Sequence, residues 1–193
     1  MKAFIRITLR VAPVVWIIGV ALISTLTIPQ QAFAKVSCSS LPKPPESLGG
    51  MRIETFNKFD DERLGIGLTY ASPSERLSIF KFDQGYTGID DAIAKEMTIR
   101  ALKDIRNAAE RYGATTVKMH QLGWAAFAET KLIHFFIYVS NLGKVDLEFM
   151  GAGHDGNCMI KIRYSHFNDA NLAKAKESYA EHVRLLENYI LAR

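Results

Sequence analysis

The residues most able to do chemistry stand together in the stretch Gly151-Ala-Gly-His-Asp-Gly156. Histidine titrates near neutral pH, so His154 beside Asp155 is the candidate catalytic pair for acid–base or metal chemistry. The stretch also matches the pattern G-x-G-x-x-G, in which a following helix would bind the pyrophosphate of a dinucleotide. Residues 158–164 alternate like a strand instead. The sequence therefore predicts a hairpin turn here, and no bound cofactor.

The other histidines show no spacing typical of a metal site. None of the five stands four residues from another, and the motif H-E-x-x-H does not occur. A small hydrolase or metal-dependent enzyme would need a second residue to work with His154, and His120 is the candidate. His134 lies in an apolar run and is predicted to be a core residue bonded to a neighbour. No metal site is predicted.

Two cysteines, Cys38 and Cys158, form an even pair. In an oxidising compartment such a pair predicts a disulfide, here one that closes a loop of more than 100 residues. The alternative is two unpaired thiols. A disulfide would leave neither cysteine available as a nucleophile.

Aromatic residues supply the candidate binding surface. Trp124 follows Leu122-Gly123, where we expect a turn that exposes the indole. Exposed aromatic side chains often anchor binding partners. Tyr86 is the second candidate residue, and the alternative for both is packing in the core.

Two amphipathic helices and a series of strands must position these residues. Residues 132–139 are apolar except for one histidine and predict a central strand with both faces covered. Helices are predicted at about 90–112, capped by Asp90 or Asp91, and at about 169–191, capped by Asn168. The element order is β-β-β-α-β-β-β-β-α. It predicts an α+β fold in which both helices pack on a mostly antiparallel sheet of six to seven strands.

The first 34 residues have the layout of a secretory signal. A basic start is followed by an apolar run, and Ala32-Phe-Ala34 fits the small-residue cleavage pattern. We expect cleavage after Ala34, and the alternative is an uncleaved membrane anchor. Residues 35–50 then form a Pro/Gly-rich leader and residues 51–193 a single domain. On this interpretation the protein meets a membrane only transiently, through its signal.

Charge argues against nucleic acid as a partner. The chain has 24 basic and 20 acidic residues. The predicted signal holds three of the bases and no acid, which leaves 21 basic against 20 acidic residues. A domain so close to neutrality has no electrostatic reason to bind nucleic acid or an anionic membrane.

One hairpin carries a resemblance to known proteins. The segments Gly65-Ile-Gly-Leu-Thr-Tyr70 and Leu77-Ser-Ile-Phe-Lys-Phe-Asp-Gln-Gly85 resemble the opening hairpin of small exported bacterial proteins of unknown function. The element order is similar to the PsbP/Mog1-like α+β fold. That family holds photosystem subunits, transport-factor partners and secreted proteins, so the resemblance implies interaction rather than chemistry. We therefore expect an exported, periplasmic and non-enzymatic module that binds a protein or small-molecule partner, with the enzyme at 151–156 as the alternative.

Overall fold

The computed structural model describes residues 38–128, 130–167 and 169–191. These residues form two helices and one eight-stranded sheet, in which every pair of neighbouring strands is antiparallel. The strands are β1 (Ser47–Leu48), β2 (Met51–Lys58), β3 (Ile66–Ala71), β4 (Glu75–Phe82), β5 (Thr116–Phe127), β6 (Thr130–Asn141), β7 (Lys144–His154) and β8 (Met159–His166). The helices are α1 (Asp91–Arg111) and α2 (Leu172–Leu191). The predicted α+β class is confirmed.

The sheet runs in the order β1-β2-β3-β4-β8-β7-β6-β5. It has one or two strands more than predicted, because the leader contributes β1. The chain turns from β1 into β2 through Gly49 and Gly50, whose φ angles of 55° and 82° favour glycine. Between β2 and β3 the chain forms a short 3₁₀ helix, Glu62–Leu64, and the side chain of Leu64 is exposed.

Each face of the sheet carries one helix and its own core. Alternation along β7 places Leu147 and Phe149 under α2 and Met150 and Ala152 under α1. Phe149 stacks on Tyr179 of α2, with ring centroids 4.8 Å apart. This two-sided packing is why several strands read as apolar on both faces.

Helix α1 begins and ends as its sequence predicts. The Asp90 side chain accepts the N–H of Ile93 at 2.8 Å, and Gly113 follows the helix with φ of 85°. Helix α2 begins three residues later than predicted, because Asn171 accepts the N–H of Lys174 and caps it there. The predicted cap, Asn168, lies outside the described residues.

Strand β6 is covered on both faces, but its predicted central position is wrong. It lies next to the edge strand β5, with which it forms a long hairpin. Leu132 and Ile137 are each 0% exposed and belong to the cores on opposite faces. Burial on both faces thus results from the two helices and not from a central place in the sheet.

The predicted disulfide is present. Cys38 and Cys158 are bonded, with Cα atoms 5.8 Å apart, and both side chains are buried. The bond fixes the start of the described leader to the turn before β8. Among the helices that the structure describes, none is both long and apolar enough to cross a membrane. The predicted signal at 1–34 lies outside the described residues.

Candidate ligand-binding cavity

His154 is the last residue of β7, not a loop residue as the sequence suggested, and it is held at both ring nitrogens. Its Nδ1 accepts the amide N–H of Gly156 at 3.2 Å, so its Nε2 carries the hydrogen and donates to Asp91 at 3.0 Å. His120 lies in register with Phe149 across the sheet, and Phe149 lies five residues along β7 from His154. The two histidines are therefore roughly 17 Å apart along the strands and about 10 Å apart across them. The structure therefore does not bring these two histidines together.

Asp155 forms the turn between β7 and β8. Its Oδ1 accepts the backbone N–H groups of Asn157 and Cys158 at 3.0 and 2.8 Å, and its Oδ2 lies 3.3 Å from Lys81 Nζ. Burial alone would raise the pKa of Asp155, but the two amides and the ammonium outweigh it and lower the pKa. Asp155 is therefore ionised at neutral pH, and its partner is Lys81 rather than His154.

A cavity of about 170 Å³ opens beside this ion pair, between the sheet, the leader and the end of α2. The apolar part of its lining includes Leu41, Pro42, Ile79, Phe127, Ile160 and Ile190. The polar lining residues are Ser40, Lys81, Thr130 and Asp155. We call this space the leader cavity, because residues 40–42 of the leader form one of its walls.

Three contacts hold the leader wall in place. The disulfide anchors it just before Ser40. The Tyr189 hydroxyl of α2 donates to the Pro42 carbonyl, and the Tyr70 hydroxyl donates to the Pro45 carbonyl at 3.0 Å. Burial raises the pKa of Tyr70 to about 12, so this hydroxyl keeps its proton. The leader is thus bonded at Cys38, Pro42 and Pro45, which lie before, within and after the wall at residues 40–42.

The polar end of the leader cavity was missed in the sequence, although a signal for it exists. Leu77 and Ile79 of β4 point inward, and the next position with the same orientation is Lys81. A lysine that continues a row of buried residues is unusual, since charged side chains are seldom buried unless paired. Its side chain is only 15% exposed. Its partner Asp155 lies 74 positions further along the chain, and only the fold brings them together.

A second group of titratable residues, also missed in the sequence, lies where β8 ends. His166 is 2% exposed and pairs across the sheet with Glu75. The Tyr164 hydroxyl donates to Glu75 at 2.7 Å, while His166 Nε2 lies 3.1 Å from the Asp169 carboxylate. Burial would raise the pKa of Glu75, but the hydrogen bond from Tyr164 and the nearby histidines lower it. Because His166 is buried, the group fastens β4 and β8 to the segment before α2.

His134 also lies in the core, as predicted. Its Nδ1 is 2.7 Å from the Tyr179 hydroxyl, whereas its Nε2 is buried without a hydrogen-bond partner among the described residues. Burial lowers the pKa of His134, because a charged imidazole would lose its hydration there. The residue is therefore neutral in the native protein at neutral pH.

The two aromatic candidates lie in different places. Trp124 lies within the edge strand β5 and not at a turn, since the β5–β6 turn comes only after Phe127. Its side chain is 66% exposed, beside a bulge at residues 121–123. Tyr86 follows β4 and packs, half-buried, against the core under α1. Three strands separate β4 from β5, so the two residues do not share one surface.

Comparison with known proteins adds no family to these observations. The sequence matches no family model, and no curated protein matches it significantly. Among the described residues, no three His, Cys, Asp or Glu side chains are grouped so that they could hold a metal ion. The leader cavity is therefore the feature on which we base a functional assignment.

Proposed function

We propose that this protein is exported to the periplasm and binds a small molecule in the leader cavity. The disulfide supports export, because such bonds persist in oxidising compartments such as the periplasm. The signal-like first 34 residues support it independently. The similarity to the PsbP/Mog1-like element order agrees with a binding role.

The observation that carries the proposal is the shape and lining of the leader cavity. Most of its lining residues are apolar, and three of its polar residues, Lys81, Asp155 and Thr130, lie close together, a construction common in small-molecule sites. A volume of about 170 Å³ is close to the ~150 Å³ of an engineered apolar cavity that holds benzene. The part of a ligand that the cavity holds is therefore about the size of one ring or a short chain.

We favour binding over catalysis because Asp155 and Thr130 of the lining are already committed to structural bonds. Asp155 shapes the turn and pairs with Lys81, and the Thr130 hydroxyl donates to the backbone carbonyl of His154. The alternative hydrolase or metal-dependent enzyme at residues 151–156 needs His154 and Asp155 to act together. Their side chains bond to Asp91 and Lys81 respectively, so no observation favours that alternative.

Ligand binding can be tested by filling the cavity. We expect ring-sized compounds to shift the methyl NMR signals of Ile79 and Ile160, and the variant Ile190→Phe to abolish these shifts. The matched control is Ile99→Phe, which makes the same substitution at an exposed position of α1. Shifts that persist in Ile190→Phe would place the binding elsewhere, and no shifts with any compound would refute the proposal.

Export has its own test. After expression in a Gram-negative bacterium, mass spectrometry of the periplasmic fraction should find a chain that begins at Lys35. A chain that begins at Met1, recovered with the inner membrane, would contradict cleavage and favour the uncleaved anchor.

A further inference from the structure

We infer that the leader cavity selects a neutral ligand with an apolar body and one oxygen that accepts a hydrogen bond, such as a small alcohol, phenol or ketone. This inference rests on the proposed function, because it assumes that the cavity binds a small molecule. It adds the chemical class of the ligand.

The charges of the lining determine which ligands can enter. Lys81 and Asp155 are the charged residues among the described lining, and their opposite charges lie 3.3 Å apart. Their side chains are only 15% and 27% exposed. A charged ligand would lose its hydration and meet an ion pair whose net charge is zero. Since an uncompensated buried charge is costly, the cavity favours a neutral ligand.

The hydrogen-bonding capacity of the ion pair determines what the ligand must offer. Asp155 already accepts two backbone N–H groups and the Lys81 ammonium, so little of its accepting capacity is left. An ammonium group has three N–H donors. Among the residues that the structure describes, the acceptor that Lys81 contacts is Asp155. N–H donors of the Lys81 ammonium therefore remain for a ligand. The matching ligand group is an oxygen acceptor.

The remaining lining determines the rest of the ligand. Phe127 of β5, Ile160 of β8 and Ile190 of α2 line the cavity together with the ion pair, and Ile160 lies directly across the sheet from Lys81. These side chains offer no hydrogen bonds, so they favour hydrocarbon over a second polar group. A compound with one aromatic ring and one oxygen at its end satisfies both parts of the cavity.

A series of compounds of similar size tests the inference on the disulfide-bonded protein. Benzyl alcohol is neutral and has an acceptor oxygen, ethylbenzene has none, benzoate is an anion, and benzylamine is a cation at neutral pH. We expect benzyl alcohol to bind about tenfold more tightly than ethylbenzene, as measured by NMR titration or calorimetry, because a hydrogen bond to a charged donor typically contributes this much. Both ions should bind more weakly than benzyl alcohol.

Variants identify the source of the preference. Lys81→Met together with Asp155→Asn removes both charges and largely preserves side-chain volume, and the new amide oxygen still accepts the turn's N–H groups. The amide also carries N–H donors, so the single variant Lys81→Met, which offers none, is measured beside it. We expect Lys81→Met to lose the preference for benzyl alcohol. The control is Lys81→Arg, which keeps the donors and should keep the preference.

The outcomes separate the two proposals. If none of the four compounds binds, the proposed function itself is refuted. If ethylbenzene binds but benzyl alcohol binds no more tightly, or if an ion binds best, binding stands and the ligand class is wrong. A preference that survives in Lys81→Met likewise refutes the role of Lys81.

Discussion

Removal of the Cys38–Cys158 bond should lower the free energy of unfolding by about 5 kcal/mol. The cysteines lie 120 positions apart, and the chain-entropy relation for a loop of that size gives roughly 5 kcal/mol at 25 °C. Single domains are commonly stable by only about 5–15 kcal/mol, so the bond supplies a large share of the total. The reason is that the cross-link restricts the unfolded chain far more than the native one.

Denaturant unfolding of the double variant Cys38→Ala/Cys158→Ala measures this loss. Alanine is chosen because both positions are buried, where a serine hydroxyl would need a partner. The slope of unfolding free energy against denaturant should increase, since an unfolded chain without the cross-link exposes more surface. Wild-type protein in reductant should behave like the variant. A loss below about 1 kcal/mol would refute the chain-entropy reasoning.

The same variant tests the link between the disulfide and the leader cavity. Without the bond, the wall at residues 40–42 depends on the hydrogen bonds from Tyr189 and Tyr70. We expect ethylbenzene to bind more weakly to the variant than to the oxidised protein under conditions where both are folded. Equal affinity would show that the two tyrosines suffice to hold the wall.

Three further predictions concern the fold. The pKa of His134 is lowered in the native state, so its stabilising contribution is present above the unfolded pKa of about 6.5 and is lost as the pH falls below it. His134→Gln should therefore make the free energy of unfolding less sensitive to pH below about 6.5, and an unchanged pH profile would contradict this. A Cβ at Gly153 would lie 2.2 Å from the Lys131 carbonyl oxygen, so Gly153→Ala should lower the free energy of unfolding by about 1–3 kcal/mol. The control Gly88→Ala should change it little, because the atom nearest to the new Cβ lies 3.9 Å away. Equal effects of the two substitutions in thermal unfolding would refute the argument. Asp90→Ala removes the cap of α1 and should cost about 1 kcal/mol in denaturant unfolding, and an unchanged midpoint would show that the cap contributes nothing.

Local patterns allowed most of the elements to be predicted from the sequence. Helix α1 is bounded by Asp90 and Gly113, residue types that are strongly preferred at the start and just past the end of a helix. The strands follow from alternation, and the disulfide follows from the presence of just two cysteines after the predicted signal. Where a local signal was misread, as at Trp124, the error concerned the position of a turn. The bulge beside Trp124 disturbs the alternation that would otherwise have shown the strand continuing.

The candidate site could not be predicted in the same way, because it depends on pairing between distant segments. Lys81 and Asp155 meet only because β4 lies beside β8 in the sheet. His166 faces Glu75 for the same reason. Local periodicity sets which face of a strand a residue occupies, but not which strand lies next to it. By itself the sequence determined the elements and the cross-link. The strand order, the edge position of β5 and the leader cavity were decided only by the tertiary structure, because they depend on which distant segments pair in the sheet and on which face each helix covers.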